Sequence, residues 1–131
     1  MEFEYNKDWK VRDNMLNVSP EVSRNGRYDI LRFDNMPADI LQKMVDLRFA
    51  DPDERQNDSP SIGEILEFLK ENPNFTAFGY AVTVERPDYR ISIEGVESSD
   101  YDPRQIANFV DLFRFADEFE VSKDYQRAWF D

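Results

Sequence analysis

One segment constrains the fold more than any other, because large apolar residues alternate on both sides of a turn sequence. They are Phe78, Tyr80, Val82 and Val84 before Arg86-Pro87-Asp88, and Tyr89, Ile91 and Ile93 after it. Alternation with a period of two is typical of strands, and a proline-containing turn between two such runs predicts a β-hairpin. Positions 77, 79 and 81 hold alanine or glycine. These small residues would allow a helix to pack closely on that face of the first strand.

Three segments have the 3, 4, 7 spacing of apolar residues that is typical of amphipathic helices. They are Pro37–Phe49, Ser61–Asn72 and a segment from Asp102 to about Ala116. Proline near each start fits the first turn of a helix, where a missing N–H costs little. Ser61 with Glu64, and Asp102 with Gln105, predict capping boxes at two of these helices.

The remaining segments have weaker patterns. Residues 1–25 are interpreted as irregular with one edge strand, 27–33 and 118–122 as strands, 50–59 as an exposed loop, and the aromatic C-terminus as docked on the domain. Strands and helices do not alternate regularly, which disfavours a doubly wound fold. We therefore predict one α+β domain over residues 1–131, with a small, mainly antiparallel sheet, a central hairpin and about three helices packed on it.

The chain contains no cysteine and no histidine. Disulfides and thiolate chemistry are therefore excluded, and the commonest general base near neutral pH is missing. We find no G-x-S-x-G elbow, phosphate-binding loop or zinc spacing, and the acidic loop 51–58 lacks the glycine that an EF-hand requires. We expect no catalytic residues, no cofactor and no metal. The absence of cysteine suits a cytoplasmic protein.

The acidic balance restricts the possible partners. Sixteen basic and 28 acidic side chains give a formal net charge of −12, and 19 of the acidic ones lie in residues 51–131. This charge repels phosphate backbones and anionic lipids, so we expect neither direct nucleic-acid binding nor membrane association. Two interpretations remain open: the acidity serves solubility, or it is complementary to a basic partner protein.

Three acidic groups are candidates for a partner-binding surface. They are Asp51, Asp53, Glu54 and Asp58 in the predicted loop; Glu94, Glu97, Asp100 and Tyr101 after the hairpin; and Asp117, Glu118, Glu120, Asp124, Tyr125 and Trp129 near the C-terminus. Aromatic residues beside charged ones are enriched in interaction surfaces. Charges on an edge strand also prevent unwanted pairing between sheets, and for the third group we weigh this interpretation equally.

In size and charge the chain is similar to bacterial immunity proteins and to phage-encoded inhibitors, a resemblance that assigns no individual residue. It implies an inhibitor that neutralises a basic toxin or nuclease through surface complementarity. A second hypothesis is a DNA mimic that inhibits a restriction or CRISPR-type nuclease. A third is a small-ligand-binding domain whose concave sheet is lined by Tyr80, Tyr89 or Trp129, with an arginine orienting the ligand.

Overall fold

The computed structural model describes residues 2–17 and 30–131, which contain four helices and five strands. In chain order they are α1 (Trp9–Met15), β1 (Ile30–Met36), α2 (Ala38–Asp46), α3 (Ile62–Glu71), β2 (Thr76–Val82), β3 (Ile91–Ser98), α4 (Pro103–Leu112), β4 (Glu118–Val121) and β5 (Gln126–Trp129). All five strands belong to one antiparallel sheet. The predicted α+β class is confirmed.

The strands lie in the order β1-β2-β3-β5-β4, so β1 and β4 are the edges of the described sheet. β2 and β3 form the predicted hairpin. Both are shorter at the turn than the alternation indicated, because β2 ends at Val82 and β3 begins at Ile91. Val84 and Tyr89 therefore lie in the connection.

The helices pack on one face of the sheet, which we call the inner face. Ala77 and Ala81 of β2 are fully buried there, in the same apolar cluster as Leu41 of α2 and Leu69 of α3. The small side chains of β2 leave room for the helices, as their spacing predicted.

Phenylalanine side chains hold α3 and α4 against the β4 end of the sheet. Phe109 of α4 is fully buried, with ring centres at 6.2 Å from Phe68, 5.1 Å from Phe75 and 5.5 Å from Phe113. It also stacks on Phe119 of β4 at 4.9 Å. Pairs of rings at these distances contribute ~0.5–1.5 kcal/mol each beyond the burial of their area.

One of the two predicted capping boxes is present. Ser61 Oγ accepts a hydrogen bond from the Glu64 backbone N–H at 3.1 Å, and Glu64 Oε1 accepts one from the Ser61 N–H at 3.0 Å. Asp102 caps α4 through the Arg104 N–H at 3.0 Å, but the expected box with Gln105 was wrong. The Gln105 side chain instead exchanges two hydrogen bonds with the side-chain amide of Asn74.

The interpretation of the N-terminal segment as irregular was wrong, because residues 9–15 form α1. This helix buries an ion pair: Arg12 Nε donates to Asp13 Oδ1 at 2.9 Å, and both residues are fully buried. Arg12 also donates to the Val82 backbone oxygen at 3.0 Å and lies 4.6 Å from the centre of the Tyr89 ring. An apolar period could not reveal a helix whose buried groups are charged.

One strand prediction needs correction at its bounds. The strand placed at 27–33 is observed at Ile30–Met36, with a bulge between Phe33 and Met36. Its predicted positions 27–29, and positions 18–25 of the N-terminal segment, lie outside the described residues. The C-terminus is docked as predicted, but as the strand β5, which the sequence did not indicate.

Among the described residues, no helix combines the length and apolar character needed to cross a membrane.

Candidate functional site

The face of the sheet opposite the helices, which we call the outer face, carries aromatic and charged side chains from several strands. One row of register partners is Phe78, Gly95, Trp129 and Glu118, and the next is Glu97, Arg127 and Glu120. Register partners in neighbouring strands present their side chains on the same face. The order of the strands therefore places Arg127 between two glutamates and Trp129 beside a third.

Gly95 makes room for the aromatic residues of this face. A Cβ at this position would lie 2.0 Å from the backbone oxygen of Ala128 and 2.6 Å from Phe78 Cζ. The Phe78 ring thus lies over the backbone of Gly95, and the Arg127 guanidinium stacks 4.8 Å from the centre of that ring. Any larger residue would force β3 and β5 apart.

Glu94 is a buried carboxylate of the outer face. In the β2–β3 ladder, Gly79 lies opposite Ile93 and the preceding residue, Phe78, lies opposite Gly95. Glu94 therefore has no register partner in β2 and is the extra residue of a β-bulge. Its Oε1 accepts from Arg32 Nη1 at 2.5 Å, and its Oε2 from Trp129 Nε1 at 3.4 Å. The Glu94 side chain is 8% exposed and that of Arg32 is 70% exposed. The carboxylate therefore links a solvated guanidinium to the indole.

Glu97 organises the second row. Its Oε2 accepts a hydrogen bond from the Tyr125 hydroxyl at 2.7 Å and lies 3.8 Å from Arg127 Nε. Arg127 Nη1 lies 3.1 Å from Glu118 Oε2, so one arginine bridges two strands. Burial and the hydrogen bond to Glu97 raise the pKa of Tyr125 to about 12. At neutral pH this tyrosine is therefore a hydrogen-bond donor.

An open depression of about 380 Å³ lies over these groups, and its described lining residues belong to β1, β2, β3 and β5. Phe78 and Trp129 are partly buried in it. Glu94 and Glu97 are paired there with Arg32 and Arg127. Such a surface is suited to binding through stacking and polar contacts.

β4 forms the margin of the outer face, and all its residues are exposed. Glu118 and Glu120 lie on the outer face, whereas Phe119 is the register partner of the buried Ala128 and Val121 follows it on the inner face. The strand predicted over residues 118–122 is thus present at Glu118–Val121, with carboxylates on one face and apolar groups on the other. Glu120 makes no ion pair with any described residue.

The predicted loop acids lie outside the two rows defined above, although Glu54 contacts Ser92, the register partner of Tyr80. Asp51 Oδ1 accepts from the Asp53 N–H at 2.9 Å, which closes a local turn. Glu54 Oε1 accepts from the Ser92 hydroxyl at 2.7 Å, and burial raises the pKa of Glu54. Asp53 and Asp58 are exposed. This group is partly structural.

The other predicted residues lie around the margins. Asp100 and Tyr101 are exposed in the connection between β3 and α4, and Asp124 is exposed in the turn between β4 and β5. Asp117 Oδ2 accepts from the Asp131 backbone N–H at 2.8 Å, which ties the chain end to the start of β4.

The structure thus brings six of the fourteen predicted residues onto one face. They are Glu94, Glu97, Glu118, Glu120, Tyr125 and Trp129. Sequence reasoning missed Arg32, Phe78 and Arg127 as members of this site. The alternation of β2 could have indicated Phe78 as an outward-facing residue, but the two arginines are recognisable only once the strand register is known.

Within residues 2–17 and 30–131, no three acidic side chains are gathered in an arrangement that could hold a metal ion.

Comparisons with protein-family models, with curated proteins and with solved structures found no match to this chain. The interpretation of the outer face therefore depends on its own geometry.

Proposed function

We propose that this chain is an acidic protein-binding inhibitor of the immunity type, which neutralises a basic toxin or nuclease by covering it with the outer face. The observation that carries the proposal is the collection of predicted carboxylates and aromatic residues on one sheet face, with the partly buried Trp129 among them. Aromatic residues surrounded by polar groups are the usual composition of energetically important interface centres.

Charge and aromatic contacts have different tasks in this proposal. The net charge of −12, with unpaired Glu120 and exposed Asp124 near the outer face, speeds the encounter with a basic partner. Burial of Trp129 and Phe78 under the partner slows dissociation. No chemical step is required of the inhibitor.

The arginines of the outer face favour a protein target over a nucleic-acid channel. A DNA mimic needs carboxylates in an uninterrupted series, because it replaces successive phosphates. Here Arg127 lies between Glu97 and Glu120, and Arg32 lies beside Glu94. Alternating signs are complementary to the mixed surface of a folded protein. The open shape of the depression likewise favours a broad partner over an enclosed small ligand.

The test compares two charge reversals of equal size. The tagged protein is immobilised, a lysate of its native host is passed over it, and retained proteins are eluted with rising salt. We expect Glu120→Lys/Asp124→Lys to lose the basic protein that the wild type retains. The control, Glu67→Lys/Glu71→Lys, makes the same change in net charge on the exposed side of α3 and should retain that protein.

Equal loss of the retained protein in both variants would show that net charge alone attracts it, and would contradict an outer-face interface. Retention by both variants would also contradict the proposal. A further variant, Trp129→Ala, should release the same protein at least about tenfold faster, as expected for an aromatic anchor.

A further inference from the structure

The β4 strand has an unpaired backbone edge. Ser122 N–H donates to the Tyr125 oxygen at 2.8 Å, and residues 118–121 pair in register with 129–126. Because hydrogen-bonded pairs alternate along an antiparallel ladder, Glu118 and Glu120 bond to β5. The backbone N–H and C=O groups of Phe119 and Val121 therefore face away from the sheet, and no described strand pairs with them.

The two sides of this edge differ in chemistry. Glu118 and Glu120 project from the outer side, where both are exposed. Phe119 and Val121 lie on the inner side and are 40% and 39% exposed. A strand added at this edge would have its outer side chains beside carboxylates and its inner side chains beside apolar groups.

We propose that the β4 edge receives an extended segment of the partner protein in which basic residues alternate with apolar ones. This inference rests on the proposed function and adds the manner in which the partner is recognised. The segment pairs antiparallel to β4, so its apolar residues bond through their backbone to Phe119 and Val121, and its basic residues lie beside Glu118 and Glu120. Main-chain hydrogen bonds provide affinity, and the alternating side chains provide specificity.

The middle of β5, the strand already paired with β4, has the composition that this proposal requires, whereas Trp129 opposite Glu118 and Gln126 opposite Val121 depart from it. Arg127 lies opposite Glu120 on the outer face, and Ala128 lies opposite Phe119 on the inner face. A basic and apolar segment on the free side of β4 repeats this arrangement.

A second copy of this chain is a poorer occupant of the same edge. Antiparallel pairing of two β4 strands would place Glu118 and Glu120 of one copy beside the same residues of the other. Like charges in facing positions destabilise a strand pair. The carboxylates therefore prevent self-association while they leave the edge available to a basic segment.

The test uses a capped hexapeptide of alternating lysine and valine, added to the full-length isotope-labelled protein. We expect the amide signals of Phe119 and Val121 to shift and their hydrogen exchange to slow, with an affinity that falls as salt is added. Two modified peptides separate the edge from general charge attraction. Methylation of the valine backbone nitrogens should weaken binding at least about tenfold, because the valines bond to β4. Methylation of the lysine backbone nitrogens should leave binding within about threefold of the parent peptide.

The protein side of the test is the pair Val121→Pro and Val121→Thr. Proline removes the outward N–H without disturbing the bonds to β5, and threonine keeps that N–H. We expect binding to weaken at least about tenfold in the first variant only. Equal binding of the two methylated peptides, or equal binding of the hexapeptide with glutamate in place of lysine, would overturn the proposal. The proposal would also be overturned if the amides of Phe119 and Val121 became more protected at higher protein concentration without peptide, because a second copy would then occupy the edge.

The same variants distinguish this inference from the proposed function. If Val121→Pro retains the host partner while Glu120→Lys/Asp124→Lys loses it, the outer-face interface stands and the edge inference fails. If neither variant affects capture, the proposed function itself fails.

Discussion

Arg32 is an exposed arginine whose removal should cost more stability than that of an ordinary surface residue. Its guanidinium is 2.5 Å from Glu94 Oε1, and the Glu94 side chain is 8% exposed. Replacing Arg32 with alanine leaves this carboxylate with the Trp129 N–H at 3.4 Å as its side-chain partner. Replacing Glu94 with glutamine has a smaller effect, because Arg32 is already 70% exposed and is solvated when its partner loses charge.

The magnitudes follow from this asymmetry. A hydrogen bond to a charged group contributes ~1.5–3 kcal/mol, whereas an exposed ion pair contributes under ~1 kcal/mol. With one partner buried and the other solvated, we expect Arg32→Ala to lower the free energy of unfolding by about 2 kcal/mol. Glu94→Gln should lower it by under about 1 kcal/mol. The double variant should resemble Glu94→Gln, which corresponds to a coupling energy of about 2 kcal/mol.

Urea denaturation at neutral pH, monitored by circular dichroism, measures the free energy of unfolding of the wild type, the two single variants and the double variant. Arg104→Ala is the control, because Arg104 also lies close to a carboxylate, at 2.9 Å from Asp102, but its side chain is 89% exposed. That variant should be as stable as the wild type. Equal losses for Arg32→Ala and Arg104→Ala, or a coupling energy under about 0.5 kcal/mol, would refute the claim that the desolvated carboxylate of Glu94 depends on Arg32.

Four further outcomes follow from packing, capping and titration. Phe109→Ala should lower the free energy of unfolding by about 3–5 kcal/mol in urea, because the ring is fully buried, whereas Val110→Ala at the exposed neighbour should cost under about 1 kcal/mol. Ser61→Ala should cost about 1 kcal/mol in the same assay, and unchanged stability would contradict the capping box. Gly95→Ala should cost at least about 3 kcal/mol, since its Cβ would meet backbone; a variant as stable as the wild type would contradict the β3–β5 register. Burial raises the pKa of Glu54 above 4.5, so ionisation opposes folding and stability should fall as pH rises above that value; Glu54→Gln should flatten this fall in unfolding titrations from acid to neutral pH.

Elements whose signals are local could be predicted from the sequence. The alternation around residues 77–82 and 91–93 specifies the hairpin and its buried face, and Ser61 with Glu64 specifies the start of α3. These signals act between residues a few positions apart, so no knowledge of tertiary contacts is needed to interpret them.

The elements that were missed depend on distant partners. α1 buries the ion pair of Arg12 and Asp13, which has no apolar period, and Arg12 bonds to the backbone oxygen of Val82 far along the chain. β5 has four residues, too few for alternation to distinguish a strand from a loop. It is a strand because the edges of β3 and β4 supply its hydrogen bonds.

The candidate site was missed in part for the same reason. Its acidic members were visible in the sequence, but Glu97 and Glu120 meet Arg127 only because β5 lies between β3 and β4. No local rule predicts that β5, which follows β4 in the chain, lies between β3 and β4 in the sheet. The residues were therefore identifiable as charged and aromatic, whereas their arrangement was not.

The insertion of β5 also accounts for the charge pattern across the sheet. If β3 and β4 were neighbours, Glu97 and Glu120 would lie in adjacent strands and repel each other. With Arg127 between them, the signs alternate from one strand to the next, and Arg127 reaches Glu118 at 3.1 Å. β4 ends this series, so its carboxylates have a basic neighbour on one side only. Acidity that served solubility alone would not need to follow the strand order in this way. A basic strand on the free side of β4 would continue the alternation in the row of Glu97, Arg127 and Glu120, which supports the proposed recognition of a partner at this edge.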